Sequence, residues 1–312
     1  YPLEAAMQIG TSQFYATGAS QLGKLSAQAD TLNTQIATGK KITAPSQDVV
    51  AYNRLSAIKQ ANADNTAYAS NISLAKSLLQ QSDTTLTAVT SQLQRAAELT
   101  TQAANGTLND ANRKAIATEL QSIRDDLVNL AGTTDARGQP LFAAATGKGA
   151  VTQAADGTVT FDGTGEVPAI PVGDGTDVRA TDSAQRVFGG ISDGKGGTTD
   201  IFAVLSTYIS ALNAGGTATA TAASGTAATA IQSALNQVSD VQGSVGARAA
   251  RLDIVSSQAT DAAGAREVDR TALEDTDIST AIVDLQKTMT ILQATQASFT
   301  KLGQLSLFDY LK

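Results

Sequence analysis

Residues 15–41 have the sequence YATGASQLGKLSAQADTLNTQIATGKK, and their spacing decides the fold of the N-terminal part of the chain. Small and apolar residues recur every three or four positions, at Tyr15, Gly18, Leu22, Leu25, Ala29, Leu32 and Ile36. This rhythm is a heptad stripe, which predicts a long helix that packs against another helix. Gly39 suits the end of that helix, and Lys40 and Lys41 suit its carboxyl-terminal dipole, so the helix is expected to stop there.

The C-terminal part of the chain carries a matching stripe. Beyond Gly264 the rhythm restarts at Ile278, Ile282, Leu285, Met289, Leu292, Gln296, Phe299 and Gly303. The last residues remain apolar, with Leu302, Leu305, Leu307, Phe308 and Leu311. The nearest match for this stripe is the N-terminal one, so we expect the two ends of the chain to pair as a coiled-coil hairpin.

The residues between the two stripes divide into helical and irregular parts. A long helix is expected from near Asp48 to the break at Asn105–Gly106, and another from Asn109 to Gly132. Residues 143–200 hold 12 of the 26 glycines and short alternating runs, which predict a small β-rich domain. A helix is predicted over residues 201–212, and a flexible Ala/Thr/Gly segment over residues 214–227.

These elements predict a mainly α fold. A long coiled-coil helical hairpin is formed by both chain ends, with the small β-rich domain inserted at its tip. The expected domains are assembly helices at 7–45 and 275–312, two halves of a helical body at 46–143 and 201–274, and a variable outer domain at 144–200. Residues 1–6 are interpreted as an addition ahead of a natural start at Met7.

The composition argues against several functional classes. The chain has no Cys and no His, so it lacks a nitrogen or sulfur ligand set for zinc or copper, and no metal or cofactor is predicted. No enzymatic activity is expected, and the acidic pair Asp125–Asp126 is interpreted as a solvated helix face. The net charge of −7 argues against nucleic acid and anionic lipid as partners. The sequence has no run of about 18 apolar residues, so no membrane insertion is predicted.

The terminal stripes are interpreted as an assembly interface rather than as the core of a monomer. Few charged residues flank the stripes, whereas soluble two-stranded coiled coils usually carry flanking charge pairs. Copies of the same helices would cover such stripes from both sides. The predicted interface residues are Leu22, Leu25, Leu32, Ile36, Ile278, Ile282, Leu285, Met289, Leu292, Phe299, Leu302, Leu305, Leu307, Phe308 and Leu311.

Several spaced motifs resemble those of one protein family. They are MQIGTSQ (7–13), LNTQIATGKKITAPSQDVVA (32–51), LVNLAGTTDARGQPLFA (127–143), VGARAARLD (245–253), LEDTDISTAIVDLQ (273–286) and LSLFDYL (305–311). In this order they resemble the flagellin superfamily, over residues 7–143 and 200–312.

The resemblance implies a structural subunit of the bacterial flagellum that is exported unfolded through the flagellar type III apparatus, without a signal peptide, to the cell exterior. It also implies terminal regions that are unordered in the free chain and fold into a coiled-coil layer on assembly. The implied partners are copies of the chain itself, the hook-side adapter and filament flagellin, with an export chaperone at the C-terminal helix.

Two features favour the junction proteins of this superfamily, which connect the hook and the filament. The sequence ARGQPLF (136–142) stands where filament flagellins have an FNG-like turn, and the tail carries the aromatic pair Phe308 and Tyr310. A filament flagellin remains an alternative. A cell-surface protein that binds a polysaccharide through residues 144–200 remains another, although that segment offers only Phe161 and Phe188 for sugar stacking and is acidic.

Overall fold

The computed structural model describes residues 3–192 and 197–308. The chain divides into two compact units, which we call the terminal unit (Tyr1–Ala63 with Ala262–Lys312) and the central unit (Asp64–Asp261). The helices are α1 (Leu3–Thr38), α2 (Val49–Ala103), α3 (Asp110–Ala131), α4 (Ala184–Phe188), α5 (Ile201–Ala214), α6 (Thr217–Glu274) and α7 (Ile278–Phe308). Helices α2 and α6 contribute residues to both units.

Local capping residues explain where the long helices begin and end. Helix α1 is followed by Gly39, whose φ of 67° lies in the left-handed region that favours glycine. The Asp48 carboxylate accepts the Ala51 N–H at 2.9 Å and so caps the start of α2. The Asp277 carboxylate caps α7 in the same way, accepting the N–H groups of Ser279 at 3.0 Å and Thr280 at 3.2 Å.

The core of the central unit is built on a heptad stripe of α2. Leu79, Leu86 and Leu93 are fully buried and follow one another at seven-residue intervals. They belong to one continuous apolar cluster with residues of α3, α5 and α6. Helix α3 begins after Asn109, whose side chain accepts the Asn112 N–H at 2.8 Å, and ends at Gly132.

Over the described residues, the strand-containing part forms three separate antiparallel pairs rather than one sheet. The pairs are β1 (Val151–Gln153) with β2 (Val159–Phe161), β3 (Ile170–Gly173) with β4 (Thr176–Val178), and β5 (Ile191–Ser192) with β6 (Thr198–Thr199). The ring of Phe188 contacts those of Phe142 and Phe202, with centroids 6.0 and 5.4 Å apart, and all three are buried. This part therefore shares the core of the helices.

One sequence prediction about α6 is wrong. The segment 214–227 was expected to be flexible, but α6 already begins at Thr217. Ala220 and Ala227 are buried, and Ser224 hydrogen-bonds the Tyr208 hydroxyl of α5 at 2.8 Å, so small side chains here allow close helix packing. Helix α6 continues through Gly264 to Glu274, since a single glycine costs a helix only about 1 kcal/mol, and the stripe restarts at Ile278, where α7 begins.

The predicted fold class is confirmed. The chain is mainly helical, α1 packs along α7 so that the two chain ends pair, and a small strand-containing part is inserted between helical segments. The proposed domain boundaries remain a prediction.

Candidate assembly surface

The N-terminal stripe lies on the face of α1 that packs toward α7. Ala29 is buried, and the predicted interface residues of this helix are all half-buried: Leu22, Leu25, Leu32 and Ile36. The exposed positions of α1 between them are Ser, Gln, Asn, Thr, Lys, Asp, Ala and Gly. The stripe therefore marks the packed side of the helix, but one partner helix leaves each large side chain partly open to solvent.

The C-terminal stripe is split between two sides of α7. Ala281 and Thr288 are buried, and Leu285, Leu292 and Phe299 are half-buried, so this row forms the packed face. Its members follow one another at intervals of four, three, four and seven residues, which keeps them on one side of a helix. Alanine and threonine in this row let the neighbouring helix approach closely.

The other members of the predicted stripe form a second row that remains in solvent. Ile278 is 47 % exposed, Ile282 is 40 % exposed and Met289 is 41 % exposed. Helical spacing places these three residues beside the packed row rather than opposite it. We call them the open stripe. Val283 and Ile291, which are also about half exposed, lie on other sides of α7.

An aromatic contact joins α1 to α7. The rings of Tyr15 and Phe299 meet edge to face with centroids 5.3 Å apart. A Cβ added to Gly18 would lie 2.9 Å from Cδ2 of Phe299 and closer still to Cε2. The absence of a side chain at Gly18 is therefore what lets the Phe299 ring lie on α1.

The remaining predicted interface residues are at the end of the chain. Leu302, Leu305, Leu307 and Phe308 belong to α7, but their side chains lie outside the described residues, as does all of Leu311.

The terminal unit is tied together at the turn between α6 and α7, which the sequence analysis missed. The Lys41 N–H donates to the Glu274 carbonyl at 2.6 Å, and the Thr276 N–H donates to the Gly39 carbonyl at 3.0 Å. The Glu274 carboxylate is 3 % exposed and pairs with Lys40 Nζ at 2.6 Å and with Arg270 Nη1 at 2.7 Å. A glutamate at the carboxyl end of a helix interacts unfavourably with the helix dipole. Its position in the sequence could therefore have indicated that a cationic side chain pairs with it.

The charges at this turn are stabilised in their ionised forms. The Lys40 ammonium, followed by Arg270, lowers the pKa of Glu274 against the opposing effect of burial. Hydrogen bonds from its guanidinium to Glu267 and Glu274 raise the pKa of Arg270. The turn is therefore fully charged at neutral pH.

The two units differ in charge. The terminal unit contains ten acidic and ten basic residues, whereas the central unit contains 19 acidic and 12 basic residues and so carries the whole net charge of −7. A neutral helical unit with exposed apolar residues can approach a copy of itself without net repulsion.

The described residues contain no group of three or more His, Cys, Asp or Glu side chains arranged to hold a metal ion. None of the helices, over the described part of the chain, is long and apolar enough to span a membrane.

Comparisons with known proteins give one consistent result. The family model described as the bacterial flagellin N-terminal helical region matches residues 9–146. Flagellar hook-associated protein 3 of Salmonella typhimurium is 30 % identical over 319 aligned residues, which cover 97 % of this chain and 99 % of that protein. Flagellin of Listeria monocytogenes is 32 % identical, but only over 32 % of this chain and 35 % of that protein.

A solved structure shows the same fold. A flagellar hook-associated protein from Vibrio parahaemolyticus superposes with a TM-score of 0.65 at 22 % identity, covering 73 % of this chain and all of that one.

Proposed function

Because the chain belongs to the flagellar hook-associated protein 3 family, we propose that its terminal helices are the surface through which copies polymerise at the junction of hook and filament. The chain is a structural subunit of the bacterial flagellum. Its relatives are structural proteins rather than enzymes.

The open stripe is the observation that supports polymerisation through the terminal helices. Complete burial of a large apolar side chain is worth about 1.5–3 kcal/mol. Ile278, Ile282 and Met289 are still 40–47 % exposed, so covering all three would contribute about 2–4 kcal/mol per subunit. A second copy of α1 or α7 offers the matching helical surface, and the neutral charge of the terminal unit favours that approach.

Substitution of the open stripe tests the proposal. The double variant Ile282→Ser with Met289→Ser should fold as the free chain does, because both side chains are about 40 % exposed and lie outside the packed row of α7, but it should assemble poorly. Ile254→Ser in the central unit is the matched control, since Ile254 is 60 % exposed. Assembly is followed by light scattering and electron microscopy of the full chain. Normal assembly of the double variant would show that the open stripe is not an interface.

The position at the junction, rather than along the filament, is supported by the extent of the sequence match. The hook-associated relative aligns over nearly the whole chain, whereas the flagellin relative aligns over about a third of it. Immuno-electron microscopy of flagellated cells tests this position. Label in one ring next to the hook is expected, and label along the whole filament or on the cell body would contradict it.

In that position the neighbouring proteins are other axial proteins of the flagellum, which we propose to be the hook-side adapter on one side and filament flagellin on the other. An export chaperone that covers the C-terminal helix would keep its apolar residues from associating before export. Export unfolded by the flagellar type III route places the assembled subunit outside the cell. A cysteine-free chain suits such a route, because it cannot form mispaired disulfides on the way out.

A further inference from the structure

The central unit presents an electrostatic problem for assembly. It carries the entire net charge of −7, so copies placed side by side repel one another unless basic residues of one copy meet acidic residues of the next. The central unit does not spread its basic residues evenly. Four of its arginines lie around a single cleft: Arg179, Arg186, Arg248 and Arg251.

A buried ion pair builds the wall of this cleft. The Asp182 carboxylate, just before α4, is 4 % exposed and pairs with Arg248 of α6 and, at 3.2 Å, with Arg186. Arg248 also donates to the Arg179 carbonyl at 2.7 Å and to the Ser244 carbonyl at 3.2 Å. The Arg248 guanidinium is thus already paired within the fold, and it joins the strand-containing part to α6.

The other three arginines are turned toward solvent. Arg179 and Arg186 have side chains that are 55 % and 49 % exposed, although Arg179 also pairs with Glu166 at 3.2 Å and Arg186 with Asp182. Arg251 is exposed, and its side chain makes no ion pair or hydrogen bond within the described part of the chain. They border a cleft of about 320 Å³, which adjoins a second cleft of about 440 Å³ at Arg186. Asp177 and Asp182 also line the cleft, so the guanidinium it offers to an anionic partner is chiefly that of Arg251.

The lining favours a protein carboxylate over a sugar. No aromatic side chain lines either cleft, so a saccharide ring would have no surface on which to stack. The same central unit carries exposed carboxylate groups elsewhere, on the solvent side of α3. Asp125 and Asp126 are both exposed and are the one adjacent pair of acidic residues in that unit's sequence. Their main partners are glutamine amides, from Gln121 at 2.9 Å and Gln92 at 3.3 Å, and Arg124 lies 3.5 Å from Asp125.

We propose that the arginine cleft of one copy binds the Asp125–Asp126 face of a second copy. The contact joins two different surfaces of the same chain and is therefore heterologous, the type of interface that generates rings or helical assemblies. This inference rests on the proposed polymerisation through the terminal helices, which brings copies together. The charged contact sets the register between central units, because exposed charge pairs contribute more to specificity than to affinity.

Cross-linking of the full chain tests the geometry, and the absence of native cysteine makes engineered thiols unambiguous. Arg251→Cys protein is mixed with Asp126→Cys protein under assembly conditions and treated with a short bis-maleimide reagent. A linker is needed because an Arg–Asp pair holds its Cα atoms farther apart than a disulfide allows. Cross-linked dimer should form in the mixture and not with either variant alone. A chain with both substitutions should give a ladder of oligomers.

Charge reversal tests the interaction itself. Arg251→Glu should raise the protein concentration needed for assembly by about three- to tenfold, since it replaces an exposed attraction with a repulsion. Lys148→Glu is the control, an equal charge change at an exposed lysine away from the cleft. It should change the protein concentration needed for assembly by less than about twofold. Asp126→Arg added to Arg251→Glu should restore assembly.

The outcomes separate this inference from the proposed function. Assembly that depends on the open stripe but gives no mixed cross-link would refute the cleft contact and leave polymerisation through the terminal helices standing. Cross-linking of Arg251→Cys protein with itself would show a cleft-to-cleft contact and refute the heterologous one. Binding of free glucuronate at the cleft, with no mixed cross-link, would assign the cleft to an acidic sugar instead. Failure of the wild-type chain to associate under any condition would refute both proposals.

Discussion

The start of α6 allows a direct test of the packing between α5 and α6. Ala220 is fully buried in the core of the central unit, whereas Ala222, two residues later in the same helix, is exposed. Substitution of each by leucine adds the same atoms in the same local sequence. If residues 217–227 were a flexible linker, the two substitutions would have the same small effect.

The structure predicts very different effects on the free energy of unfolding. Leucine at position 220 must displace packed neighbours, and such overpacking costs about 1–3 kcal/mol. Leucine at position 222 points into solvent and should change stability by no more than about 0.5 kcal/mol. With a urea dependence of about 2 kcal/mol per molar, Ala220→Leu should lower the midpoint of unfolding by about 0.5–1.5 M.

Urea unfolding of the full chain, followed by far-ultraviolet circular dichroism, measures both midpoints. Ala222→Leu serves as the matched control for changes in helix propensity. Equal midpoints for the two variants, both close to that of the wild type, would refute the packed-helix description of this segment. A shift in Ala222→Leu as large as that in Ala220→Leu would show that the buried face is assigned incorrectly.

The remaining predictions concern the terminal unit. In assembled protein, Glu274→Gln should weaken the α6–α7 turn by about 1.5–3 kcal/mol through loss of charged hydrogen bonds, seen as faster amide exchange at Lys41. In the wild type the same protection should be complete above the unfolded-chain pKa of 4.5 and should be lost as the pH falls through the lower folded-state pKa of Glu274. In assembled protein, Gly18→Ala should increase the amide exchange of α1, because the added Cβ meets the Phe299 ring. Gly23→Ala is the control, since that position has open space around it, and it should stabilise α1 by about 0.5–1 kcal/mol. The reverse order of the two variants would refute the ring contact. In dilute free chain, amides in 7–45 and 275–312 should exchange fast, and strong protection there would contradict folding on assembly.

Elements with strong local signals were predictable from the sequence. Helix α3 begins after Asn109 and ends at Gly132 as expected, because an asparagine cap and a glycine stop act through neighbouring backbone groups. The end of α1 at Gly39 follows from the same local chemistry. The segment 217–227 was not predictable in this way, because alanine and threonine are compatible with a linker. The buried hydrogen bond of Ser224 with Tyr208, 16 residues away, stabilises the helical conformation of this segment.

The candidate site was predictable only as a set of apolar residues. Their spacing placed Ile282 and Leu285 on the same stripe, but the structure turns Leu285 toward the packed side of α7 and leaves Ile282 in solvent. Heptad spacing defines a stripe about two residues wide, and the partner helix decides which edge it covers. The role of these residues in assembly remains a prediction.

The sequence by itself determined the helical class of this protein, the pairing of its two ends and its family, because heptad spacing, helix caps and ordered motifs are properties of the chain read in order. The tertiary structure decided which apolar residues stay open and where charge collects. Arg179 and Arg186 lie in a segment that is acidic in sequence, yet they share a cleft with Arg248 and Arg251 of a helix more than 60 residues away. Electrostatic interactions depend on distance in space, so a basic site can form on an acidic chain without any local signal.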